Sequence, residues 1–259
     1  MTCDMQQDFL AIRWYDMKTI IFLAIVLVSG ALAGTIHGIT NLAIVEPYLD
    51  QAIGIENQNL FASGEEKDTP QFWVEYDAYR DWQKSGQVLA GAMLGTSIGA
   101  LFGIIYALSR NSLPQGNDLK KTITLAGMMW LTIYFIPFLK YPANPPTVGD
   151  GETVVLRAIL YLSFIAISGL GAVGFYQLSK KIKFKSKIIP VVGYGVFIAI
   201  VFALMPPNPD EVNASMDLVN GFRAMSVVAV SVFWISRAVI LGGLWHKFRP
   251  DTENPDIRN

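Results

Sequence analysis

Long apolar stretches alternate with short polar segments along this chain of 259 residues. Six of the stretches approach the roughly 20 residues that a helix needs to cross the hydrocarbon core of a bilayer. No soluble domain of ordinary size fits between them. The pattern therefore predicts an all-α, polytopic transmembrane helix bundle, with residues 1–259 forming a single membrane domain. The predicted membrane-spanning helices cover residues 19–45, 87–108, 122–141, 154–177, 188–205 and 218–245.

Glycines recur at four-residue spacing in the first two apolar stretches, which places them on one face of each helix. In water, so many glycines would weaken a helix by roughly 1 kcal/mol each relative to alanine. In lipid they let two helix backbones approach closely. We therefore predict that these helices pack through their glycine faces. The glycines are Gly30, Gly34 and Gly38 in the first stretch, and Gly91, Gly95, Gly99 and Gly103 in the second.

Positive charges are distributed unevenly, although the net charge is only −1. If the N-terminus is cytoplasmic, thirteen of the 20 Lys and Arg residues fall in inner segments, while only Lys67, Arg80 and Lys84 fall in outer segments. The positive-inside rule then predicts six spans arranged as three out-and-back hairpins in the cell membrane, with both termini cytoplasmic. The thirteen inner cations are Arg13, Lys18, Arg110, Lys120, Lys121, Lys180, Lys181, Lys183, Lys185, Lys187, Lys247, Arg249 and Arg258.

The polar segment 46–86 is predicted to be an extracytoplasmic loop, and it holds nine of the 21 acidic residues. We expect two short helices in it, beginning at Pro47 and Pro70, because proline is tolerated at the first helical position. The second spaces aromatic side chains from Phe72 to Trp82 along one side, a pattern that favours the headgroup level of a bilayer. We predict an interfacial helix there, and membrane anchoring alone would explain it equally well.

A short internal repeat links the second and third predicted hairpins. Residues Pro142–Pro145 read Pro-Ala-Asn-Pro and are followed by Arg157, while Pro206–Pro209 read Pro-Pro-Asn-Pro and are followed by Arg223. In the predicted topology each motif ends an outgoing helix, and each arginine enters the returning one. The two copies would share one orientation, as in parallel transporter repeats. A chance match is the alternative, since proline and asparagine are ordinary loop formers.

Two segments carry a more specific resemblance. The strings GTIHGITNLAIVEPY at 34–48 and FLKYPANPPTVGDGET at 138–153 resemble the CbtA family of cobalt transporter subunits. The resemblance implies an integral membrane protein that takes part in cobalt uptake for cobalamin synthesis, often beside a small one-span partner, CbtB. It implies cobalt as a transported ion and no permanently bound cofactor. The family is usually described with one span fewer than we predict here.

The first of these segments also contains a candidate metal site. His37 and Asn41 lie one helical turn apart, Glu46 comes at the helix exit, and Asp50 follows four residues later. Imidazole, amide and carboxylate ligands suit a borderline divalent metal such as cobalt or nickel. Two structural alternatives stay open: His37 could hydrogen-bond to a neighbouring helix, and Glu46 could cap the helix that begins at Pro47.

The second segment places further polar residues near the membrane surface. Asp150 and Glu152 precede the fourth predicted span, where either could cap its N-terminus. Arg157 and Arg223 lie just inside the membrane, where an unpaired cation is costly. We expect them to pair with carboxylates at a similar depth, and attraction of a transported ion is the second interpretation. The carboxylates nearest in depth are Asp150, Glu152, Glu46, Asp210 and Asp217.

Other function classes find little support. The chain has no phosphate-binding loop, zinc motif or nucleophile triad, so we do not expect an enzyme. The basic segment 180–187 fits membrane topology and anionic lipid better than nucleic acid. Two alternatives to metal uptake remain. One is a non-transporting accessory subunit, and the other is a transporter of an organic or anionic solute, which would require Arg157 and Arg223 to converge on one cavity. The sequence leaves the oligomeric state open, and the bilayer is the one certain partner.

Overall fold

The computed structural model describes residues 18–146, 148–182, 188–210, 212 and 214–251. Every regular element within these ranges is helical, so the all-α prediction is confirmed for them. A π-helical turn, Trp130–Phe135, joins α4 to α5, and a 3-10 turn, Gly151–Thr153, precedes α6. The α-helices are α1 Thr19–Ile44, α2 Glu46–Ser63, α3 Pro70–Ser109, α4 Asp118–Met129, α5 Ile136–Lys140, α6 Val154–Lys181, α7 Ile188–Leu204 and α8 Met216–Phe248.

Five helical segments in the described part of the chain are long and apolar enough to cross a membrane. The apolar helix α7 has only 17 residues. At 1.5 Å per residue it is about 26 Å long, against a hydrocarbon core of about 30 Å. The fold is thus a helical membrane bundle, while the count of six spans and the cytoplasmic position of both termini stay predictions. The five long segments are Thr19–Ile44, Pro70–Ser109, Asp118–Lys140, Gly151–Lys181 and Met216–Phe248.

The separate interfacial helix predicted after Thr69 is corrected by the structure. Helix α3 runs without interruption from Pro70 to Ser109, so the aromatic segment and the second predicted span form one helix of 40 residues. No proline falls between the two parts, and the glycine that does, Gly86, has open space around it. A helix of this length extends for about 60 Å, twice the hydrocarbon thickness, so one part of it lies outside the membrane core.

The described residues cluster into two compact units. Unit 1 groups those within 1–40, 81–126 and 232–259, and unit 2 groups those within 41–80 and 127–231. Helices α1, α3, α4 and α8 each contribute residues to both units, because the boundaries fall inside them.

In unit 1, α1 and α3 meet through the glycines singled out by their spacing. A Cβ atom built on Gly95 would lie 2.5 Å from the carbonyl oxygen of Gly30 and 2.5 Å from the Cα of Gly34. One built on Gly91 would lie 2.6 Å from the carbonyl oxygen of Gly34. No side chain fits between backbones at this separation, which is why glycine is required at the contact.

Unit 1 also buries a cation, Arg237 of α8, whose side chain has no solvent exposure. Its guanidinium donates to the carbonyl of Gly99 at 2.6 Å, to the carbonyl of Val26 at 3.3 Å, and to the hydroxyl of Ser29. The ring of Phe102 lies 5.1 Å from the guanidinium carbon. Among the described residues no carboxylate pairs with Arg237. The groups around its positive charge are neutral hydrogen-bond acceptors and one aromatic face.

A second charged cluster in unit 1 ties helix ends together. Arg110, directly after α3, pairs with Asp118 at the start of α4 at 2.8 Å and with Asp251 beyond α8. Trp245 donates its indole N–H to Asp251 at 3.1 Å, and its ring lies 5.3 Å from the Arg110 guanidinium. Burial acts to lower the pKa of Arg110, but Asp251, Tyr106 and Asp118 together outweigh it, so the pKa is raised.

In unit 2, the π-helical turn between α4 and α5 widens the helix just before Pro137. Because proline lacks an N–H and its ring clashes with the carbonyl one turn back, an ordinary α-helical turn is disfavoured there. The wider turn gives Ile136 an N–H bond to the carbonyl of Leu131, five residues earlier. The carbonyl of Thr132 accepts from the hydroxyl of Ser168 on α6, which links the widened turn to its neighbouring helix.

Candidate functional site

His37 and Asn41 lie one turn apart on α1, as their spacing predicts, and both are half-buried. The imidazole of His37 meets the ring of Phe233 edge to face, with centroids 5.7 Å apart. This contact belongs to unit 1, whereas Asn41 belongs to unit 2. The structure therefore provides an aromatic neighbour for the imidazole, a contact that the sequence analysis did not anticipate.

Glu46 and Asp50 project from the first two turns of α2 and hold one cation between them. The Nη2 atom of Arg80, on α3, pairs with Glu46 Oε1 and lies 2.8 Å from Asp50 Oδ1. The Arg80 and Glu46 side chains are buried, whereas the Asp50 side chain is 43% exposed. Two carboxylates on either side of one positively charged atom form an arrangement that would also suit a divalent cation.

The four predicted metal ligands are divided between the units, with His37 in unit 1 and the other three in unit 2. Within the described residues, no group of three His, Cys, Asp or Glu side chains is placed to hold a metal ion. Glu46 is the first residue of α2, and its side chain pairs with Arg80. Arg80 is the residue that sequence reasoning missed, because it lies 34 positions from Glu46 and no local pattern links the two.

The turn before α6 gives each of its acidic residues a different environment. The Asp150 side chain accepts the N–H of Glu152 at 2.9 Å and so caps the 3-10 turn, while Glu152 itself is exposed. Arg157 reaches Asp210, with Nε 2.7 Å from Oδ2, and also donates to the carbonyl of Asp150 at 3.0 Å. The Thr153 hydroxyl donates to the other oxygen of Asp210 at 2.6 Å. Asp210 is therefore held from both sides.

Gly149 makes room for this ion pair. It adopts φ of 108°, in the left-handed region that favours glycine. A Cβ atom there would lie 2.5 Å from Nη1 of Arg157, and it would also collide with Asp210. The glycine thus lets the backbone pass directly beside the paired side chains.

Arg223 has neutral partners. Its Nη2 donates to Asn144 Oδ1 at 2.7 Å, and its Nε donates to the carbonyl of Ala143 at 3.3 Å. Nearby, the Tyr141 hydroxyl donates to the carbonyl of Pro206 at 2.6 Å. Arg157 and Arg223 therefore differ: one holds a carboxylate, and the other holds an amide and a backbone carbonyl.

A cleft of about 280 Å³ opens beside these contacts in unit 2. Residues 142–144 of the first Pro-x-Asn-Pro motif and 208–209 of the second contribute to its walls, together with Arg157. The aromatic rings of Tyr134, Phe138 and Tyr161 form much of the remaining surface. Arg223 does not line this cleft, so the two arginines do not converge on it.

Comparison with known proteins gives one match. The profile of a family described as probable cobalt transporter subunit (CbtA) matches residues 19–246. The chain belongs to the CbtA family. The match begins at the first residue of α1 and ends two residues before the end of α8, so it covers all of the long helices. No curated protein and no solved structure matches the chain.

Membership in the CbtA family defines the class of function. The family is one of transporter subunits, which is not an enzyme class, and the word subunit implies a complex with other proteins. Together with the five long apolar helices, it makes this CbtA-family chain a multi-pass membrane protein associated with cobalt transport. Neither this description nor the helices identify which residues contact the ion.

Proposed function

We propose that this chain is the membrane subunit through which a divalent metal ion, cobalt, enters the cell and supplies cobalamin synthesis. The family match over residues 19–246 is the observation that carries the proposal. In this proposal the chain crosses the cell membrane six times, keeps both termini in the cytoplasm, and works beside a small one-span subunit of the CbtB kind.

The ion would be bound by His37, Asn41, Glu46 and Asp50 after it loses part of its hydration shell. The contact of Arg80 with both carboxylates supports this choice, since a positively charged group already lies against both of them. We expect the guanidinium to move away when a metal ion binds there, because the two positive charges would repel each other at this distance. In this proposal, the incoming divalent ion replaces the guanidinium of Arg80 between the two carboxylates.

The membrane potential supplies the driving force in this proposal, because the chain contains no ATP-binding motif. Moving one elementary charge through 100 mV is worth about 2.3 kcal/mol, so a divalent cation gains about 4.6 kcal/mol on moving inward. A coupled ion or a partner subunit would add to this driving force.

Uptake of radioactive cobalt into cells that lack their own cobalt transporter tests the proposal. We expect expression of the chain, with its partner subunit, to restore uptake, and we expect His37→Ala combined with Glu46→Gln to reduce it at least about tenfold, the equivalent of 1.4 kcal/mol. Glu56→Gln is the matched control, because Glu56 is an exposed acid on the same helix, α2. Equal uptake by the double variant and the control would refute this site.

An accessory, non-transporting subunit is the second candidate. The pairing of Arg80 with Glu46 and Asp50 favours it, since the protein itself supplies a cation between the two carboxylates. It predicts stable co-purification with a transporting partner and no cobalt binding by the isolated chain. A carrier of an organic anion is less favoured, because Arg157 already holds the Asp210 carboxylate.

A further inference from the structure

The two Pro-x-Asn-Pro motifs are joined crosswise. Arg157, which follows the first motif, pairs with Asp210, which follows the second, at 2.7 Å. Arg223, which follows the second motif, donates to Asn144 within the first at 2.7 Å. Each arginine thus bonds to the other copy of the repeat. Each copy of the repeat therefore receives an arginine from the other copy. A chance likeness of two loops would not require such an arrangement.

Two further bonds cross in the same region. The Tyr141 hydroxyl, at the start of the first motif, donates to the Pro206 carbonyl, which begins the second, at 2.6 Å. The Thr153 hydroxyl donates to Asp210 at 2.6 Å. We call these four contacts, Arg157–Asp210, Arg223–Asn144, Tyr141–Pro206 and Thr153–Asp210, the crosswise latch. It consists of one ion pair and three hydrogen bonds, all made by side chains, which can break without unfolding a helix.

The latch borders the cleft described above, and both motifs line that cleft. Separating the two motifs would widen the cleft and would expose the Asp210 carboxylate, whose side chain is now only 3% exposed. It would also release the amide oxygen of Asn144 and the carbonyl of Ala143 from Arg223. Carboxylate, amide and carbonyl oxygens are groups that can replace water around a divalent cation.

We propose that the crosswise latch is the extracytoplasmic gate of the transport path, closed in this structure, and that the cleft is the entrance through which the hydrated divalent cation passes. This inference rests on the proposed uptake function, which places the two motifs on the outer side of the membrane. Opening moves both arginines away from oxygen atoms that a passing cation can then contact. Parallel repeats that separate around a solute path are a recurrent transporter design.

Cysteine labelling tests the latch independently of transport. The chain has one cysteine, so Cys3→Ser provides a thiol-free background, and Leu160→Cys places a reporter in the cleft lining. We expect Asp210→Asn to speed labelling by a membrane-impermeant maleimide at least about tenfold, because it replaces the carboxylate that faces Arg157. Tyr141→Phe, which removes only a hydroxyl, should speed it less, and it keeps the test valid if Asp210→Asn folds poorly.

Asp217→Asn is the matched control, since Asp217 is an exposed acid in the first turn of α8, outside the latch. It should label at the rate of the background protein. If Asp210→Asn and Tyr141→Phe also label at that rate, the latch does not control access to the cleft and the proposal is overturned.

A second experiment locks the latch. Ala143→Cys and Asn208→Cys, both at the cleft, are joined by a short bifunctional thiol reagent with a reducible bond. We expect cobalt uptake to fall at least about tenfold on cross-linking and to return when the linker is reduced, which excludes misfolding as the cause. Unchanged uptake in the cross-linked protein would overturn the gate. Absence of cobalt uptake before cross-linking, with the labelling differences intact, would instead refute the cobalt function and leave the latch supported.

Discussion

Each unit buries an arginine, and the two arginines differ in the groups that surround their positive charge. Arg80 in unit 2 lies between two carboxylates, while Arg237 in unit 1 donates only to backbone carbonyls and a hydroxyl beside an aromatic ring. Removing Arg80 would leave the buried Glu46 carboxylate without the cation it pairs with. Removing Arg237 would leave no charge behind, because its partners are two backbone carbonyls and the Ser29 hydroxyl. The first arginine can be exchanged for another cation, and the second is a fixed packing element.

The largest effect is expected from Arg80→Met. It leaves the buried Glu46 carboxylate unpaired, and breaking a buried ion pair on one side typically costs about 3–5 kcal/mol. Thermal unfolding in detergent, followed by loss of helix signal, measures the change. Lys67→Met is the control, because Lys67 is an exposed cation outside this cluster. Adding Glu46→Gln to Arg80→Met should recover part of the loss, and a double variant no more stable than Arg80→Met would contradict the ion-pair explanation.

A smaller loss is expected at the glycine contact between α1 and α3 in unit 1. Gly95→Ala forces a methyl group against the Gly30 carbonyl at 2.5 Å, and overpacking of this kind costs about 1–3 kcal/mol. Gly86→Ala on the same helix has open space and should stabilise the protein by up to about 1 kcal/mol. Equal unfolding temperatures for the two variants would show that unit 1 is not closely packed at Gly95.

The smallest effect is expected from Arg237→Met. Replacing a buried charge by an apolar side chain of similar length is often close to neutral, so we expect a change of no more than about 1 kcal/mol in the free energy of unfolding. The same unfolding measurement applies, with Arg80→Met as the reference. A loss as large as that of Arg80→Met would mean that the two arginines have the same role and would remove the contrast between them.

The sequence predicted the elements of the fold better than their mutual contacts. Apolar length and glycine spacing are local properties, and they located α1 and α7 to within one residue at either end. The interfacial helix after Thr69 was wrong as a separate element, since an amphipathic segment and an apolar one can share a single helix when nothing interrupts the backbone hydrogen bonds.

The candidate site was harder to predict because it depends on distant pairs. Glu46 and Asp50 were identified from their position at a helix exit, but Arg80 was interpreted only as an outer cation. The pairing of Arg157 with Asp210 joins residues 53 positions apart in the chain, and packing rather than local pattern decides which acid an arginine meets. The repeat was visible in the sequence, whereas the crosswise direction of its bonds was not.

The π-helical turn at Trp130–Phe135 has a consequence for length variation within this segment. Such a turn is an α-helix with one surplus residue, and each residue of an α-helix advances the azimuth by about 100°. Because the wide turn absorbs that surplus residue, deleting one residue here would restore the common pitch and leave the later side chains, Phe138 included, close to their present azimuth. A single-residue deletion between Trp130 and Phe135 should therefore disturb the later packing less than a deletion in an ordinary α-helical turn, which would rotate the later side chains by about 100°.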